Sequence, residues 1–106
     1  MSGFNMVDAE RMTPLEETEF LLKIVGVRVR DFFRNEQIGL ATDEVNMASA
    51  FGMRSILDRT RYAGASKDDI LLIRKRFDDA TSSLYAQIEE QKRMQEYESF
   101  ERAVFG

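Results

Sequence analysis

From Lys67 to Phe105 the chain contains neither glycine nor proline. Ser66 stands where it can cap this stretch. Asp68 and Asp69 follow in what would be a first helical turn, where carboxylates suit the positive end of the helix dipole. Ile70, Ile73, Phe77, Ala80, Leu84 and Ile88 then recur at spacings of three and four. The pattern predicts a helix over residues 67–103, roughly 55 Å long at 1.5 Å per residue. A rod of that length in a chain of 106 residues leaves little else to build a core from, so everything before it must pack along it.

Two shorter helices are expected in front of it. Thr13, Pro14 and Glu16 form a capping box with proline in the first turn, and Glu17 and Glu19 reinforce the acidic start. Leu22, Val25, Val29 and Phe32 make a helical stripe, which Leu21, Ile24, Val27 and Phe33 widen. The alternation in KIVGVRVRDFF also suits a strand, but a lone strand has nothing to pair with, and the helix reading over 14–36 prevails. Gly39 is expected to mark a break. Thr42 reads as the next N-cap, with Asp43 and Glu44 behind it, and Val45, Ala48, Phe51, Ile56 and Leu57 as the apolar face of a second helix ending near Arg61. The expected architecture is all-α: a three-helix domain with a long, partly projecting C-terminal helix. Residues 1–12 are expected to be a flexible acidic arm, 13–90 the helical body and 91–106 a projecting helical tail.

The first helix spans only about 35 Å by the same rise, so the end of the third helix outruns its cover. Direction agrees with length. With Leu84 at zero, the body stripe falls within about 40° of it, while Tyr97, Phe100 and Val104 fall at about 220°, 160° and 200°. Gln87 and Gln91 occupy the places where the body stripe would continue. An apolar face turned away from the core marks a contact with another chain, so Met94, Tyr97, Phe100, Val104 and Phe105 are the candidate protein interface. A bend near Gln91 that folds the tail back on the body is the competing reading.

Composition narrows the chemistry. Hydrophobic residues make up 43% and charged residues 32%, which is a globular balance. Cysteine and histidine are both absent, which removes disulfides, thiolate and imidazole metal sites, and the commonest general base. No calcium loop or phosphate-binding glycine loop is present. These absences point away from an enzyme and from any cofactor or metal, toward a module that binds another protein or itself as a homo-oligomer. The start, MSGFNMVDAER, has neither a basic nor an apolar leader region, and no run is long enough to span a membrane, so the expectation is a cytoplasmic protein.

Charge is uneven. Net charge is −4, yet residues 54–76 hold seven bases and three acids. Within this region Arg74, Lys75 and Arg76 are consecutive, and Asp78 and Asp79 lie four residues beyond Arg74 and Lys75, a solvated ion-paired face. Residues 42–62 carry Ala48 and Gly52 at an alanine–x–x–x–glycine spacing, with Met47, Phe51 and Met53 around them. This resembles the helix-turn-helix of bacterial and phage DNA-binding proteins. The resemblance implies a turn at Gly52 and nucleic-acid contacts from Arg54, Arg59 and Arg61. One continuous helix with an Ala/Gly/Ser face accounts for the same residues. Tyr97 and Glu101 form a Tyr-x-x-x-Glu that resembles the export signature of type VII secretion substrates, although their Trp-x-Gly is replaced here by Phe51-Gly52 alone.

Overall fold

The computed structural model describes residues 12–106; the arm expected over 1–12 lies, apart from Met12, outside the described residues. Helix α1 spans Pro14–Arg34, α2 Ile38–Met47, α3 Met53–Tyr62 and α4 Lys67–Phe105. A π-helical turn, Ala48–Gly52, joins α2 to α3 without interrupting the rod. The described residues therefore form three helical rods and no strand, an extended all-α fold with a long C-terminal helix.

Local chemistry sets most of the boundaries. The Thr13 hydroxyl accepts from the Glu16 N–H at 3.1 Å, and the Glu16 carboxylate reaches back to the Thr13 N–H, closing the capping box. At α4 the Ser66 hydroxyl accepts from the Asp69 N–H at 3.2 Å. The helix so begun runs for 39 residues, about 58 Å.

The first connection differs from the sequence expectation. Helix α1 stops at Arg34, and α2 begins at Ile38, so Gly39 lies inside a helix and is not a break. Thr42 is not a cap: its hydroxyl donates to the Ile38 carbonyl one turn back. The stop is made by Glu36, whose φ of 57° is left-handed. That conformation lets the Gln37 N–H reach the Phe32 carbonyl at 2.8 Å and the Glu36 N–H reach Phe33 at 3.2 Å, a closure that satisfies the last carbonyls of the helix. The same closure ends α3, where Ala65 bonds back to Thr60 and Gly64, φ 78°, fills the left-handed position. Gly64 takes that conformation freely; Glu36 carries a Cβ against it.

The rods pack as an antiparallel α1 and α2–α3, with α4 parallel to α1. Arg28 pairs with Glu44 at 2.7 Å and Arg59 with Glu17 at 3.0 Å, which fixes the first relation. Arg76 pairs with Glu19, and Tyr85 donates to the Asn46 side chain, which fixes α4. Two apolar clusters result. Val25, Val29, Ile38, Ala41, Val45, Ala48, Leu84 and Ile88 fill one; Leu22, Ile56, Leu57, Ile73 and Phe77 fill the other. Phe77 is fully enclosed. The buried threonines Thr18, Thr60 and Thr81 each donate to the carbonyl four residues earlier, so they need no partner across the core.

The π turn explains the exposure of Phe51. The Met53 N–H bonds to the Ala48 carbonyl, five residues back, which adds one residue to the turn. The buried face therefore passes from Ala41, Val45 and Ala48 to Ile56, Leu57 and Thr60, and Phe51 is left 68% exposed instead of joining the core face expected for it. Gly52 sits at the inside of this turn; a Cβ there would come within 2.6 Å of the Leu21 side chain. Ile24 and Val27, expected to widen the α1 stripe, are also exposed.

Glu36→Gly relieves the one left-handed non-glycine residue among those described. It should raise the stability to chemical denaturation by about 1 kcal/mol. A loss of stability would show that the Glu36 side chain makes a contact that outweighs its backbone strain.

Candidate functional site

The C-terminal half of α4 carries the predicted interface. Ile73, Phe77, Thr81, Leu84 and Ile88 are buried, and the face they define continues through half-buried Gln91 and Gln95. The start of α2 covers α4 this far, with Ile38 and Gly39 lining a shallow groove with Lys92, Gln95 and Glu96. That groove extends to Ser99, and beyond it the rod has no cover among the described residues. Tyr97 and Phe100 are 63% and 61% exposed, and Met94, Val104 and Phe105 are exposed as well. The helix does not bend back: α4 is helical to Phe105, and the Gly106 N–H bonds to the Arg102 carbonyl. All five predicted interface residues are thus exposed on one stretch of the helix.

Its electrostatics are acidic. Lys92 pairs with Glu89 at 3.3 Å and Arg93 with Glu90 at 2.5 Å, so these bases are engaged before the apolar stretch begins. Glu96, Glu98 and Glu101, which flank the aromatic residues, pair with no base among the described residues, and Arg102 is the one base beside them in residues 94–106.

The arginines proposed for DNA contact are not brought together as a set. No turn separates residues 42–62 into two crossed helices: Met47, Ala48, Gly52 and Met53 all keep right-handed helical angles. The turn that the helix-turn-helix resemblance implies is absent, and the alternative of one continuous helix holds, because the π turn keeps Gly52 in the helix. Arg59 faces α1 and holds Glu17. Arg54 and Arg61 lie on the other side, where Arg74 of α4 joins them around a groove of about 450 Å³ floored by Ala50, Met53 and Leu57. Arg61 pairs with Asp58 at 3.6 Å; Arg54 and Arg74 pair with no acid among the described residues. Arg74 and Asp78 do not form the expected pair, whereas Lys75 and Asp79 do, at 2.9 Å.

Two features were not singled out in the sequence. Phe20, Ile24 and Val27 lie at helical spacing on the outside of α1, and Met47 and Phe51 are exposed on the neighbouring rod. The signal was present, since these residues fall opposite Val25 and Val29 on an ideal helix, but a wide stripe and two separate faces look alike without the packing partner. The Arg54–Arg61–Arg74 groove joins residues far apart in the chain and needs the antiparallel packing of α3 on α4.

Among the described residues, no group of three or more acidic side chains gathers to hold a metal ion, and no helix is long and apolar enough to cross a membrane. Comparison with protein families, with curated proteins and with solved structures finds no match.

The hydrogen bond from Arg76, helped by its charge, holds the Glu19 carboxyl below its ordinary range, against an opposing effect of desolvation. A depressed carboxylate stabilises the fold at neutral pH, and that contribution fades as the pH falls through the lowered value. Both groups are partly exposed, so the effect on stability is small. Arg76→Ala should move the Glu19 titration, followed by NMR, to higher pH. An unchanged titration would mean that the pair does not form in solution.

Proposed function

We propose that this protein is a non-enzymatic interaction module of the cytoplasm, an adaptor, small regulator, chaperone or assembly subunit, that binds another protein or a second copy of itself through the end of α4. The supporting observation is the stretch from Met94 to Phe105: five large apolar side chains, all exposed among the described residues, on a helix whose last turns lie beyond the groove that Ile38 and Gly39 line. Burying a side chain of this kind contributes roughly 1.5–3 kcal/mol. Tyr97, Phe100 and Val104 together supply a large part of a micromolar contact, about −8 kcal/mol, once the costs of association are set against them. Glu96, Glu98, Glu101 and Arg102 form the polar rim that keeps the free helix in solution. A nucleic-acid role for Arg54 and Arg61 is the second reading; it is favoured by the groove that holds them with Arg74, and a helix-turn-helix no longer supports it.

Deleting residues 94–106 tests the proposal. The last buried residue, Ile88, stays in place, so the truncated chain should melt within a few degrees of the full chain while losing self-association or partner capture. Unfolding of the truncated chain would show that the tail belongs to the core of its own body.

A further inference from the structure

The two ends of α4 are chemically complementary. At one end, Arg54, Arg61 and Arg74 line a groove with Ala50, Met53 and Leu57; Asp58 lies there too and pairs with Arg61, while Arg54 and Arg74 have no acidic partner among the described residues. At the other, Tyr97 and Phe100 are exposed between Glu96, Glu98 and Glu101, none of which has a basic partner among the described residues. We infer that the acidic, aromatic end of α4 in one copy docks into the Arg54–Arg61–Arg74 groove of a second copy, so that the chains associate head to tail.

Three observations select a second copy as the occupant. Arg74 and Glu96 lie on the same unbroken helix, about 33 Å apart along its axis, so a tail cannot reach the groove of its own chain. Charge selects the groove over another tail. In a symmetric pairing of tails, the acids beside Tyr97 and Phe100 face the same acids of the partner helix, and like charges across a helix pair are unfavourable. In the groove the same carboxylates meet planar guanidinium groups, which bind carboxylates through paired hydrogen bonds. The apolar floor then receives the aromatic rings. Leu71, one turn before Arg74, is exposed on the same helix and adds apolar surface at this end. Because groove and tail are different surfaces, the contact is heterologous, and each docked pair keeps one free groove and one free tail. Growth is open-ended, or closes into a ring where the rotation allows.

This inference rests on the reading of the tail as an interface, and the test separates the two. Two full-length variants are compared with the parent chain by light scattering at low ionic strength: Arg54→Glu with Arg74→Glu, and Tyr97→Ala with Phe100→Ala. All four positions are exposed or line the surface groove, and circular dichroism checks that both variants stay helical. Arg54→Gln with Arg74→Gln replaces the first pair if charge reversal unfolds it. The parent should form oligomers whose mass rises with protein concentration and falls with added salt. Each variant alone should associate at least about tenfold more weakly. Mixed in equal amounts, the two variants should form a one-to-one dimer, since one supplies an intact tail and the other an intact groove. If the groove variant oligomerises like the parent while the tail variant does not, the tail is an interface but the groove is not its seat, and the inference is overturned. If the mixture stays monomeric, an intact tail does not dock into an intact groove, and it is overturned as well. A parent chain that is monomeric throughout, or that binds mixed DNA duplex through Arg54 and Arg74 in place of its own tail, overturns it too.

Discussion

The structure depends on a mismatch of length. Helix α4 is about 58 Å long, whereas α1, at 21 residues, is about 32 Å. The α2–π–α3 rod is little longer. Two short rods side by side cannot cover a long one from end to end, so the fold had to choose which part of α4 to bury. The large side chains Ile73, Phe77, Leu84 and Ile88 place the body at the N-terminal half. The apolar residues of the other half, being on the opposite face, have nothing among the described residues to pack against.

Within the body, the same economy of material shows in how the rods approach. The second rod must present one face to both partners along its whole length, and a straight α-helix would turn that face out of register after Ala48, carrying buried Leu57 about 120° away from Val45. The π turn at Ala48–Gly52 inserts the residue that restores it. Gly52 allows α1 to come close at that point through Leu21. The consequence is Phe51 on the surface beside Met47, near the outward face of α1 that carries Phe20, Ile24 and Val27. This surface and the end of α4 are apolar regions that packing leaves open among the described residues.

How much of this was legible varies with the range of the interaction. Caps are local, and Thr13, Glu16 and Ser66 announced α1 and α4 correctly. The long helix and its two faces followed from the spacing of Ile73, Phe77, Leu84 and Ile88 against Tyr97, Phe100 and Val104. The turn after α1 was misplaced because its left-handed position is held by Glu36, while the visible glycine, Gly39, sits inside α2. Glycine is the usual mark of such a turn and here marks nothing. The alanine and glycine of residues 42–62 were read both as a turn and as a continuous small-residue face, and the unbroken right-handed backbone through the π turn decides for the second. The groove of Arg54, Arg61 and Arg74 was least legible, since it exists only when α3 lies along α4.

We propose that α4 is buried to about Gln95 by its own chain and beyond that point is covered by another. Amide hydrogen exchange along α4, measured at low and at high protein concentration, tests it most directly. Amides around Ile73–Ile88 should be strongly protected at both concentrations. Amides of residues 96–105 should exchange fast in dilute solution and become protected as concentration rises, or when a partner is added. Strong protection of residues 96–105 in the dilute monomer would contradict the account, because it would place the tail against its own body.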